Sequence, residues 1–90
     1  MSASARVDIV NERGLHARAS ARFVKLASTF DAAVRVTKDD TTVDAQSIMG
    51  LMMLAAGQGS TIEISADGAQ AREAVDALAS LVTQRFEEER

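Results

Sequence analysis

Four short segments of this chain alternate apolar with polar residues, and each has a single apolar face. Val7 and Ile9 alternate within residues 6–10, and Val34 and Val36 alternate with Arg35 and Thr37. Thr42-Val43-Asp44-Ala45 repeats the pattern after the turn-like Lys38-Asp39-Asp40-Thr41, so residues 33–45 predict a hairpin. Ile62 and Ile64 alternate with Thr61, Glu63 and Ser65. A period of two predicts strands. Strands apolar on one side only predict a mainly antiparallel sheet with one face covered and the other in water. The covering layer is legible too. Phe23, Leu26, Ala27 and Phe30 fall at i, i+3, i+4 and i+7 within residues 17–30, a helical stripe. Ser47 to Ala56 predicts a second, short helix, ended by Gly57 and Gly59. Residues 70–86 predict a third, with Val75, Leu78, Val82 and Phe86 on one side. The expected order is strand, helix, strand, strand, helix, strand, helix, an α+β open-faced sandwich of two layers.

Ninety residues make one domain, 1–90, with no room for a large cofactor cleft or a dinucleotide fold. No cofactor is expected. The longest apolar stretch, Ile48 to Gly57, is well short of the ~20 residues of a membrane span. Met1 to Arg6 has no signal-peptide pattern, and no cysteine is present for disulfides, zinc knuckles or thiol chemistry. These features fit a cytoplasmic protein. Ten basic against 13 acidic residues leave a net charge of −3, which argues against nucleic acid as partner. Three Phe and no Trp or Tyr offer no base-stacking platform.

His16 is the only histidine, and it falls at or just before the first turn of the first helix. The amides of that turn have no intrahelical partner and carry the positive end of the helix dipole. Arg18 lies two residues on, and Arg13, Arg22 and Lys25 lie near the same end or face. This predicts an anion site built around a residue that can act as a nucleophile. Positive surroundings favour a neutral ring, whose free lone pair can attack phosphorus. The plain alternative is a polar residue at a helix start with an ordinary solvated basic face. Metal binding is disfavoured, because no second His or Cys exists to complete a ligand set. Ser20, one turn on, lacks the strained nucleophile turn of a hydrolase.

Ser47 precedes Ile48-Met49-Gly50-Leu51-Met52-Met53-Leu54 and predicts an N-cap, its default role. Phosphorylation there is the functional alternative. The helix is apolar nearly all round. If Leu51, Leu54 and Ala55 face the core, then Ile48, Met49 and Met52 are exposed, as befits a contact surface.

Gly14-Leu15-His16-Ala17-Arg18-Ala19-Ser20 and Asp44-Ala45-Gln46-Ser47-Ile48-Met49-Gly50-Leu51-Met52 together resemble the HPr family of bacterial phosphotransferase phosphocarriers. The resemblance spans essentially the whole chain. It implies a four-stranded antiparallel sheet of order 1-4-2-3 under three helices, and a monomer. It implies that His16 takes a phosphoryl group on Nδ1 from phospho-enzyme I and passes it to enzyme IIA proteins, with Arg18 in the active site. Ser47 matches the serine modified by HPr kinase/phosphorylase. Ala19, Ser20, Arg22, Ile48, Met49 and Met52 match partner-binding positions. The family's commonest motif has Pro where Ala19 stands, and Pro would remove an amide and fix φ in the first turn. The neighbours of Ala19 resemble the nitrogen-related, regulatory branch.

Two other readings follow from the same residues. A non-catalytic regulatory module would use Ser47 and the Met-rich helix alone. A small-molecule sensor of ferredoxin-like shape fits the size but explains neither motif.

Overall fold

A computed structural model describes residues 1–88. The expectation of one domain over 1–90 thus includes two residues, 89 and 90, outside the described part. The elements run β1 (Ser2–Asp8), α1 (Ala17–Ala27), β2 (Ala33–Lys38), β3 (Thr41–Asp44), α2 (Ile48–Met53), β4 (Thr61–Asp67) and α3 (Ala71–Thr83), with a short 3-10 turn at Arg85–Glu87. The sheet is antiparallel throughout, in the order β1-β4-β2-β3. The α+β open-faced sandwich expected from the sequence is the fold.

The alternation does what the period of two requires. Val34, Val36, Ile62, Ile64 and Ala66 are buried, while Arg35, Thr37, Glu63 and Ser65 between them remain partly exposed. In register, Val36 lies opposite Ile64 and Val34 opposite Ala66, so one face of the two central strands is continuous apolar surface. Phe23 of α1 and Val75, Leu78 and Val82 of α3 are fully buried in the same core. Phe86 joins them.

Several boundaries differ from the sequence reading. β1 begins at Ser2, because Ser2 to Ala5 pair with β4 although they carry no large apolar residue. Ile9 lies past the strand yet is buried, held by two backbone bonds of 2.8 Å with Ser60 and Gly59. α2 ends at Met53, and the left-handed residue after it is Ala55 (φ +52), not Gly57. Ala55 is therefore exposed, and Ala56 takes the core position expected of it. α3 stops at Thr83, three residues before Phe86. Arg85, Phe86 and Glu87 then take positive φ (+61, +54 and +65), a left-handed turn that folds Phe86 back into the core. Each such residue without glycine costs about 1–2 kcal/mol, so the turn exists because burial and hydrogen bonding hold it.

Candidate functional site

The loop before α1 is fixed from below. Gly14 has φ +64, and a Cβ there would sit 2.4 Å from the carbonyl oxygen of Ala56. Only glycine permits that approach. The approach lets the Leu15 amide donate to the Ala56 carbonyl at 2.9 Å. The His16 loop is thereby stitched to the segment that follows α2. Leu15 is buried and anchors the loop in the core.

His16 is the N-cap of α1, with extended backbone (φ −77, ψ −177), and its carbonyl accepts from the Ser20 amide at 2.9 Å. Its side chain makes no cap hydrogen bond. The amides of Ala17, Arg18 and Ala19 therefore keep the open character of a helix start, as expected from the sequence.

The ring is not surrounded only by positive groups. Nε2 lies 2.5 Å from Oε2 of Glu88, and the two side chains are 18% and 13% exposed. A carboxylate can only accept, so Nε2 carries a hydrogen. In the neutral ring the lone pair is then on Nδ1, which has no hydrogen-bond partner among the described residues. The other carboxylate oxygen, Oε1, accepts from Nδ2 of Asn11 at 2.8 Å. The same Nδ2 donates to the Gly14 carbonyl at 2.9 Å, so fully buried Asn11 ties the tail to the His16 loop. Arg22, on the next turn of α1, donates from its guanidinium to the Phe86 carbonyl and holds the left-handed turn from the other side.

Burial opposes ionisation of Glu88, but hydrogen bonds from Asn11 and His16 and the charges of His16 and Arg13 outweigh it. The carboxyl is held below the usual glutamate range. The carboxyl then binds a proton less readily folded than unfolded. Its stabilisation is present in full above the unfolded glutamate value of about 4.3 and is lost as pH falls through the lower folded value. Urea unfolding should therefore show Glu88→Gln less stable than the parent near neutrality, with the gap closing in acid. A gap independent of pH would disconnect the ionised carboxylate from the tail's anchoring.

The other residues singled out in the sequence divide. Arg18 is exposed beside His16. Ala19 and Ser20 are fully buried, which corrects their expected place on a partner-binding surface. They lie on the core side of α1, and the Ser20 hydroxyl donates inward to the Leu15 carbonyl at 3.2 Å. Arg22 is half-buried with its guanidinium engaged by the tail, so its first role is within the molecule. Ser47 is the N-cap of α2, and its Oγ accepts from the Gly50 amide at 2.9 Å. Ile48, Met49 and Met52 are 40%, 74% and 44% exposed, and Met53, at 77%, extends their patch. Leu51 and Leu54 face the core.

Glu88 and Asn11 are the site residues that the sequence reading missed. Glu88 sits in a run of glutamates that reads as a solvated tail, and Asn11 in a polar break. The return of the chain at Phe86 brings Glu88 to His16 and onto Asn11. Among the described residues no group of His, Cys, Asp and Glu could hold a metal ion, and no helix is long and apolar enough to cross a membrane.

An antiparallel open-faced sandwich presenting one histidine at a helix start is the architecture of a phosphoryl-carrier domain. The chain belongs to the HPr family: the family model described as PTS HPr component phosphorylation site matches residues 3–84. The chain is 51% identical over 80 residues to the phosphocarrier protein HPr of Cupriavidus necator, covering 89% of this chain and 90% of that one. It is 41% identical over 83 residues to the phosphocarrier protein NPr of Shewanella violacea, covering 92% and 91%. Among solved structures, HPr-C-His from Thermoanaerobacter tengcongensis superposes with a TM-score of 0.93 at 42% identity, covering 98% of this chain and 99% of that one. Membership makes the protein a carrier rather than an enzyme, with partners among phosphotransferase proteins.

Proposed function

We propose that the protein, as a single domain and a monomer, carries a phosphoryl group on Nδ1 of His16, taken from phospho-enzyme I and given to enzyme IIA proteins. The observation that supports this reading most is the state of the ring: Nε2 is occupied by Glu88 while Nδ1 is free. The open amides of the first turn and the exposed guanidinium of Arg18 suit a dianion delivered there. The dipole contributes about 0.3–2 kcal/mol, a modest hold that suits a group that must be passed on.

Regulation is proposed at Ser47 through HPr kinase/phosphorylase, with Ile48, Met49 and Met52 as the docking surface. The Ser47 hydroxyl already meets the Gly50 amide. A phosphate in its place keeps an acceptor at the cap and leaves the backbone little changed. The harm of a charge there falls on docking, since it must be desolvated beside apolar contacts or repelled by an acidic partner. Ser47→Asp is thus expected to weaken the complex with enzyme I, less so as salt rises. Met49→Ala is expected to weaken it through lost packing with little salt dependence. Titration of both variants at low and high salt tests this, and unchanged affinity for both would place docking elsewhere.

The regulatory-module reading draws on the same exposed patch, which does not need His16. Chemistry separates the two. Phosphohistidine is lost in acid and phosphoserine survives, so acid-labile label from phosphoenolpyruvate plus enzyme I favours the carrier.

A further inference from the structure

We infer, resting on the docking reading of α2 above, that its methionines form a reversible oxidation switch: a hydroperoxide turns Met49 and Met53 into sulfoxides and weakens the hold of enzyme I on the carrier. The chain has four methionines and no cysteine, so every sulfur in it is a thioether. Three of the four fall within the six residues of α2. Met49 and Met53 are 74% and 77% exposed, and their i, i+4 spacing puts them on one face of the helix. Met52, three residues from Met49, is more covered. Other groups hold α2 in place. Leu51 and Leu54 are buried in the core, and the Ser47 hydroxyl caps the helix through the Gly50 amide. The two outward side chains can therefore change polarity without disturbing the fold.

The step balances with a hydroperoxide as the co-reactant. A sulfur lone pair attacks one peroxide oxygen, the S–O bond forms as the O–O bond breaks, and the O–O electron pair leaves on the other oxygen. That oxygen takes the proton of the transferred hydroxyl and departs as water, or as an alcohol from an organic peroxide. The thioether is oxidised by two electrons and the peroxide is reduced by two. A sulfoxide reductase reverses the change: two thiols become a disulfide, and the oxygen leaves as water. The sulfoxide is polar where the thioether was apolar. Packed against an apolar partner surface, its oxygen must give up water with no donor opposite. Leucine would supply apolar contact at these positions without this chemistry. Methionine supplies adaptable contact and an oxidisable atom together. The sulfoxide has no net charge, so its effect persists as salt rises, unlike that of a charge at Ser47.

The test oxidises the full chain alone with hydrogen peroxide, removes the peroxide, and titrates the product with untreated enzyme I. Peptide mass mapping should find sulfoxide at Met49 and Met53 before Met52, and circular dichroism should match the reduced protein. Affinity for enzyme I should fall about tenfold or more, at low and high salt alike. It should return after treatment with a sulfoxide reductase and a dithiol. In the double variant Met49→Leu/Met53→Leu, compared with its own reduced form, most of the peroxide effect should vanish. Oxidised parent that binds as tightly as reduced parent would overturn the inference. So would a lost fold, sulfoxide confined to Met1 and Met52, or an equal loss in the double variant. Reduced Met49→Ala that binds enzyme I like the reduced parent would instead defeat the docking reading itself.

Discussion

His16→Ala is expected to take no acid-labile phosphate from phosphoenolpyruvate plus enzyme I, while keeping its fold. No other histidine exists to substitute for it. The chain has no cysteine, and the buried Ser20 hydroxyl is turned inward to the Leu15 carbonyl. The fold should survive because the backbone at residue 16 owes little to the side chain. Its carbonyl bond to Ser20 and the neighbouring Leu15–Ala56 bond are main-chain bonds that alanine retains. The lost interaction is the bond to Glu88, worth about 1.5–3 kcal/mol for a charged partner, reduced here because the carboxylate keeps Asn11. Intact-mass measurement before and after acid treatment, with circular dichroism on the same sample, reads both outcomes. Undiminished acid-labile label on the folded variant would remove His16 from the transfer chain.

Phe86→Ala is expected to be the most damaging change in the tail, costing about 2–4 kcal/mol. Truncating a buried Phe costs about 3–5 kcal/mol, and Phe86 is fully buried. Release of the tail relaxes three left-handed residues, but it also gives up the hydrogen bonds of Phe86 and Glu88 to Arg22, Asn11 and His16, which cancel most of that relief. Against a total stability of about 5–15 kcal/mol, the loss is large but leaves a folded population. Release of the tail also withdraws Glu88 from His16. Urea denaturation should therefore show a lower midpoint, and the His16 ring signals should move in the folded state. A midpoint equal to the parent's would show that Phe86 does not anchor the tail.

Sequence periodicity carried most of the fold, for identifiable reasons. Val34, Val36, Ile62 and Ile64 are large and strictly alternating, so burial of one face left a single register. Phe23 and Ala27 of α1 and Val75, Leu78 and Val82 of α3 mark stripes that no other element could satisfy. Less legible were places where tertiary packing overrode local pattern. Ser2 to Ala5 became a strand through pairing with β4 rather than through their own propensity. Phe86 fits the α3 stripe by spacing, yet reaches the core by a left-handed reversal that helical periodicity cannot foresee. The site shows the same division. His16 and Ser47 stood out because their chemistry is local to helix starts, and both are N-caps. Glu88 and Asn11 did not, because their role depends on a contact between residues 77 positions apart. Motif position alone does not say which side of a helix faces the core, so it cannot show that Ala19 and Ser20 are buried.

The position of the phosphoryl group on the carrier tests this account most directly. The protein is incubated with phosphoenolpyruvate and enzyme I, and the ring nitrogens of His16 are observed by nitrogen and phosphorus NMR under alkaline conditions that preserve the N–P bond. A single phosphoryl group is expected on Nδ1 of His16, with phosphorus coupling to that nitrogen. A group on Nε2 would contradict it, since Nε2 is the nitrogen turned to Glu88. An acid-stable group on Ser47 with His16 unmodified would contradict it equally.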